Sequence, residues 1–241
     1  MGTDVSSRGT TDIVLPASTG VCMLAAIGAV FLYAPPDRVT PGQPIFYVHM
    51  AMWLPTYSAF LTVGVAGLLY LWRRAPVCDR LGQFAAEVGL VFCSLGLATG
   101  SIWAKPAWGT WWTWDPRLTL SLVLWLIYAS YLLLRMLSTD REQGARLAAV
   151  LGIAGVANLY LVYKAVYWWG AIHPAVLRTR EGGSGLPDPR MRLTLLICMV
   201  AFFLLFVWLL RLRMQTAALQ DATEELRERL AKRQECSWSS N

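Results

Sequence analysis

The chain has 241 residues, of which 56% are hydrophobic and 15% charged, with a formal net charge of +6. So large an apolar share excludes an ordinary soluble domain of this size and leaves little room for a second one. The distribution of the positive charge, set out below, fits a bilayer rather than nucleic acid as the partner, so no nucleic-acid binding is expected.

About 20 consecutive apolar residues cross a bilayer as a helix. Six such spans are expected, near 13–34, 45–72, 82–103, 118–137, 146–169 and 192–210. The fold class is therefore an all-α membrane protein, a six-transmembrane-helix bundle formed by residues 1–210. The segment before the first span holds Asp4, Arg8 and Asp12 and lacks the net positive charge of a cleavable signal peptide. The first loop, 35–44, is rich in proline, and the second, 73–80, is basic. The third, 104–117, carries a tryptophan cluster, and the fourth, 138–145, is short and charged. The fifth, 170–190, holds Gly182, Gly183 and Gly185 and reads as flexible. Residues 211–241 are rich in Arg and Glu and read as a helical tail with Glu224/Glu228 and Arg229/Arg233 at i,i+4.

With a cytoplasmic N-terminus, 13 of the 21 Lys and Arg fall on the inner side and 7 on the outer, Lys164 being within the fifth span. This bias orients the chain with both termini in the cytoplasm and the loops 35–44, 104–117 and 170–190 outside. The five cysteines include no Cys-x-x-Cys pair and none in an outer loop, so neither a thioredoxin-like nor a c-type haem attachment motif is present.

Residues 108–117 read Trp-Gly-Thr-Trp-Trp-Thr-Trp-Asp-Pro-Arg. Trp108, Trp111, Trp112 and Trp114, with Trp103 and Lys105 upstream and Gly109 among them, make a concentration of flat amphipathic rings closed by Asp115 and Arg117. A single interfacial indole is an anchor. Four together suit a large, flat, apolar ligand with a few charges, and haem is such a ligand. Trp108, Trp111, Trp112 and Asp115 are spaced i, i+3, i+4, i+7. They would share one face of a short amphipathic helix begun at Pro106 and ended at Pro116.

The chain has two histidines, His49 and His173. The six-span topology puts both on the outer side, with the tryptophan loop. Neutral imidazole is a common axial ligand of haem iron, so the pair is a candidate for six-coordinate iron. Two histidines without a carboxylate cluster or an outer cysteine fall short of the usual zinc set. Glu87 and Lys164 are charges inside spans, where burial of charge is costly and often functional. Lys164 is close enough to the surface to snorkel.

The segment Trp108–Thr119 resembles the tryptophan-rich WWD signature of haem-handling proteins. Arg117-Leu118-Thr119 after the Asp-Pro step resembles the CcmC family, the haem exporter protein C of cytochrome c maturation. Ile45–His49, Ala86–Phe92, Gly100–Pro106, Val156–Asn158 and Tyr167–His173 are similar to further segments of that family. The chain departs from the pattern at Ala51, where a proline is usual, at Pro44, where a base is common, and at Pro116. The resemblance implies a protein that binds haem b at the outer face of the cytoplasmic membrane and is not itself an enzyme. It would deliver haem to the chaperone CcmE, with the ATPase CcmA, the permease CcmB and the small CcmD as partners beside membrane lipid. No Gly-x-x-x-x-Gly-Lys loop occurs here, so nucleotide would act through a partner. The alternatives are a cytochrome c haem lyase of the CcsA or CcmF type, or a haem-transport permease subunit. The residues implied at the site are His49, His173, Trp103, Lys105, Trp108, Gly109, Trp111, Trp112, Trp114, Asp115 and Arg117. Arg117 would meet a haem propionate, Asp115 would fix Arg117 or its loop, and Lys105, Arg178 and Arg180 are candidates for the second propionate.

Overall fold

The computed structural model describes residues 8–35, 42–170, 173, 185–186 and 188–238. Six helices follow one another: α1 (Arg8–Gly28), α2 (Gln43–Arg73), α3 (Pro76–Trp108), α4 (Pro116–Leu137), α5 (Arg141–Trp168) and α6 (Pro189–Trp238). A π-helical turn, Ala29–Tyr33, continues α1. All six are long and apolar enough to cross a membrane, and no strand occurs among the described residues.

Each expected span lies within one of these helices or overruns it by a residue or so. The differences are at the ends. Only Arg74 and Ala75 separate α2 from α3, so most of the expected basic loop is helical. Pro44 and Pro76 sit in the first turns of α2 and α3, where the missing N–H has no helical partner to lose. Arg74 ends α2 in the left-handed region, φ 55°, with its N–H bonded to Tyr70 O. α6 runs without a break through residue 210 and takes in residues 211–238 of the expected tail.

The tryptophan segment does not form the expected short helix. α3 continues through Pro106 to Trp108 and stops at Gly109, whose φ of +76° is the left-handed conformation that glycine adopts freely. Residues 110–115 are irregular, and α4 begins at Pro116. The i, i+3, i+4, i+7 spacing was helical only in pattern. Pro106 lies inside α3, and the glycine breaks the register between Trp108 and Trp111.

The core is built where small residues let helices approach. A Cβ on Gly89 would lie 2.6 Å from Ala59 Cβ, so α3 presses directly against α2. Gly64 faces Val156 and Gly67 faces Ala149, which brings α5 onto α2. Small-residue contact is what holds helices together where lipid removes the hydrophobic driving force between them. Tyr128 of α4 fills the space left by Gly155 of α5 and stacks on Phe60 of α2, centroids 3.6 Å apart at 4°. Its buried hydroxyl is 3.2 Å from both Phe60 O and Gly152 O, so a polar atom at this depth is satisfied by backbone. These contacts lock α2, α3, α4 and α5 into one body, and α1 with α6 packs beside it.

Charges gather at the end remote from the tryptophans. Arg135 of α4 makes a two-pronged bond to Asp79 of α3, with Nη2–Oδ2 at 2.8 Å and Nη2 also 3.0 Å from Gln83 Oε1. Glu87 is paired with Arg213 of α6, Nε–Oε2 2.9 Å, and with Gln83. Asp221 meets Arg80, and Asp12 meets Arg211. The cost of an intramembrane carboxylate at Glu87 is thus offset by a cation from another helix. Lys164 instead lies over the rings of Tyr160, Tyr163 and Trp168 at 5.7–6.0 Å, a cation–π setting.

Candidate functional site

His49 occupies the second turn of α2 and is 3% exposed. Its Nδ1 is 2.9 Å from Gly96 O on α3. A carbonyl only accepts, so Nδ1 carries the proton and Nε2 is the acceptor. Trp53, one turn on, donates its indole N–H to that Nε2 at 3.3 Å, which agrees with this tautomer. The ring of His49 lies against α3 because residue 100 is a glycine, and that of Trp53 because residue 96 is one. A Cβ at Gly100 would stand 2.6 Å from His49 Cε1, and one at Gly96 would stand 3.5 Å from the Trp53 ring.

His173 closes the cleft from the other side and is buried. Its ring centroid is 6.1 Å from that of His49, with the planes at 88°, and 5.6 Å from Trp108. Its Nδ1 is buried with no hydrogen-bond partner among the described residues. Burial pushes its pKa well below the usual histidine value, and the charge of Arg117 and the neighbouring His49 act in the same direction. His173 is therefore held neutral, the form that ligates a metal.

The tryptophans do not form one shelf. Trp108, Trp111 and Trp112 line the cleft with the two histidines, Trp53, Gly96 and Gly100, around a cavity of about 20 Å³. Trp112 Nε1 is likewise buried without a partner among the described residues. Trp114 packs edge-on against Trp112 and is 74% exposed, turned away from the histidines. Trp103 is buried between Phe46 and Trp108, at centroid distances of 5.8 and 5.2 Å, and supports the cleft from behind.

Of the polar members, Asp115 is the N-cap of α4. Its Oδ1 accepts from the backbone N–H of Arg117 at 2.9 Å and of Leu118 at 3.1 Å, and its Oδ2 accepts from Thr113 Oγ1 at 3.3 Å. It therefore fixes the loop, and its bonds go to the backbone of Arg117 rather than to the guanidinium. Arg117 lies near Tyr57, which is on the α2 face that carries His49 and Trp53, and its charge reaches the His173 imidazole. Lys105 donates to Gly109 O at 3.0 Å, which ties the end of α3 and sits apart from the cleft. Arg178 and Arg180 lie outside the described residues.

Sequence reasoning overlooked Trp53, Tyr57, Gly96 and Gly100. The signals were present: Trp53 and Tyr57 follow His49 at i+4 and i+8, and Gly96 and Gly100 form a small-xxx-small pair on the facing helix. Among the described residues no three His, Cys, Asp or Glu converge as a metal site. The arrangement is two imidazoles in an aromatic cleft with the charge of Arg117 nearby. His49 and His173 are the residues of the cleft whose ring nitrogens could hold a metal.

The family model of CcmC, Heme exporter protein C, matches residues 5–229. A Heme exporter protein C of Bradyrhizobium diazoefficiens is 35% identical over 91% of this chain and 84% of its own length. Those of Haemophilus influenzae and Escherichia coli K12 are each 33% identical, over 83% and 78% of this chain and 82% and 76% of their own lengths. With a family match over nearly the whole chain and six membrane-length helices in place, this protein belongs to the Heme exporter protein C family.

Proposed function

We propose that the chain binds haem b at the tryptophan end of the bundle, with His49 and His173 as the axial ligands of its iron. The observation that carries this reading is the pair of buried imidazoles with centroids 6.1 Å apart in the aromatic cleft. His173 has an unpartnered buried nitrogen, and His49 keeps Nε2 free of any bond but the long one from Trp53. The Nδ1–H bond of His49 to Gly96 O sets its tautomer and orientation, the usual task of an outer partner to a ligating imidazole. Haem would supply the iron and a flat apolar surface for Trp108, Trp111 and Trp112. The cavity of about 20 Å³ is far smaller than a porphyrin, so the cleft must widen to admit haem. Arg117 is the base offered to a propionate, which a guanidinium grips with two charge-assisted hydrogen bonds.

On this reading the protein presents haem at the outer, periplasmic face of the inner membrane and passes it to the chaperone CcmE, with CcmA, CcmB and CcmD as partner subunits. The names of the relatives support export of haem, and the excess of Lys and Arg at the opposite end supports cytoplasmic termini. The chain itself performs no bond chemistry in this role.

The test is the absorption spectrum and haem content of the purified protein, of His49→Ala and His173→Ala, and of the corresponding Cys and Met variants. Loss of haem in the alanine variants and altered spectra in the others are expected. If both alanine variants keep the wild-type spectrum and haem content, the ligand assignment is wrong. Binding of haem dimethyl ester as tightly as haem would remove Arg117 from the site.

A further inference from the structure

The two nitrogens of His49 are held unequally. Nδ1 makes a bond of ordinary length, 2.9 Å, to Gly96 O on α3, whereas Nε2 accepts the indole N–H of Trp53 at 3.3 Å, which is long for such a bond. Trp53 is one turn further along α2, on the same face. Its ring stands edge-on to the imidazole, centroids 5.9 Å apart at 82°, and lies beside Tyr57 at 5.7 Å. Gly96 makes room for it, since a Cβ there would be 3.5 Å from the indole. Trp53 lines the same small cavity as His49 and His173, and its side chain is only half-buried.

A neutral imidazole with its proton on Nδ1 has a single lone pair, in the ring plane at Nε2. Iron at His49 and the Trp53 N–H need that same pair of electrons and cannot share it. A bond to iron therefore requires the indole to give up its acceptor, and an indole N–H left buried without one carries a penalty of its own. No proton moves in the exchange: Nδ1 and the indole both keep theirs, one hydrogen bond breaks, and one iron–nitrogen bond forms. His173 differs, since its Nδ1 has no hydrogen-bond partner among the described residues. The two imidazoles thus meet iron under different conditions.

Resting on the reading of His49 as an iron ligand, we propose that Trp53 competes with haem iron for that histidine and so keeps the bond weak enough for haem to be handed on. A protein that exports haem must release what it binds. A donor waiting beside the ligating nitrogen recaptures the lone pair as iron leaves. A hydrogen bond of this kind has a net worth of about two- to tenfold in an equilibrium constant, which tunes affinity without preventing binding. Trp53 is a positioning residue in this role, because it acts on iron through His49.

The test uses the full chain in nanodiscs, loaded with haem, and follows haem loss to excess apomyoglobin. Trp53→Phe keeps a ring and removes the donor. It should lose haem about two- to tenfold more slowly than wild type, with the wild-type absorption spectrum. A residue that only packed against His49 would give the opposite sign, faster loss with a disturbed spectrum. Trp72→Phe, at the far end of α2 and largely exposed, should leave the rate unchanged. A second measurement needs no Trp53 variant and decides if Trp53→Phe fails to fold. In the haem-free protein, the ultraviolet resonance Raman spectrum of wild type should show one more hydrogen-bonded indole N–H than that of His49→Ala. Haem loss from Trp53→Phe at the wild-type rate or faster, or the same indole bands in wild type and His49→Ala, would overturn the proposal and leave the ligand assignment standing. Retention of haem and of the wild-type spectrum by His49→Ala would overturn both.

Discussion

Gly100 and His49 are in direct contact across the α2–α3 interface: the position of a Cβ on Gly100 is 2.6 Å from His49 Cε1 and 2.9 Å from Nδ1. Both neighbours belong to a ring that is itself pinned by Gly96 O, so the side chain has no easy retreat. Gly100→Ala is expected to push the imidazole off α3 and to cost about 1–3 kcal/mol as overpacking. Thermal melting in detergent should show the loss, and the haem spectrum should change with it. An unchanged spectrum would mean that the orientation of His49 against α3 is immaterial to the ligand.

Trp112 and Trp114 are neighbours in the loop with opposite surroundings. The N–H of Trp112 is buried and unpartnered, a condition that costs about 1–3 kcal/mol. Trp112→Phe removes that donor and is expected to raise the melting temperature of the ligand-free protein while lowering haem retention. Trp114 is largely exposed, so Trp114→Phe should leave both nearly unchanged. The comparison is made on haem-stripped and haem-loaded samples. Equal behaviour of the two variants would count against a cleft role for Trp112.

Asp115 acts through its cap. Asp115→Ala should cost about 0.5–2 kcal/mol and loosen the loop, whereas Asp115→Asn and Asp115→Ser, which still accept from N–H groups at the helix start, should recover most of it. The readouts are melting temperature and the rate of proteolysis within 109–115. If Asn and Ser are as damaging as Ala, the carboxylate has a task beyond capping.

His173 makes stability depend on pH. Its folded-state pKa lies well below its unfolded value of about 6.5, because burial and the Arg117 charge disfavour the imidazolium. Below that unfolded value the unfolded chain binds a proton that the folded chain does not, so stability falls as pH falls. The expected slope is up to about 1.4 kcal/mol per pH unit from this group, and it is absent above pH 7. Melting curves between pH 7.5 and 5 should be shallower in pH for His173→Gln than for wild type. Identical slopes would show that His173 does not stay neutral.

The six spans, the resemblance carried by Trp108–Thr119, and the placement of both histidines with the tryptophans at one end were legible in the sequence. Each is a one-dimensional property: length of apolar run, local motif, and the alternation of ends that consecutive spans impose. The aromatic cluster also announced a flat ligand without showing how its rings are divided. That division depends on where α3 stops. The left-handed conformation at Gly109 lets Pro106 remain inside the helix and sends Trp111 and Trp112 to the cleft and Trp114 away from it. Partners from distant helices were equally out of reach. The sequence showed Glu87 as a charge in a span but not Arg213, 126 residues away, as its counter-ion. It showed two histidines but neither Gly96 O nor the 6.1 Å between their rings. Composition and period decide which segments enter the membrane. Which side chains then meet is decided by the small residues at the helix contacts, since Gly64, Gly89, Gly100 and Gly155 set the depth and rotation at which the helices close.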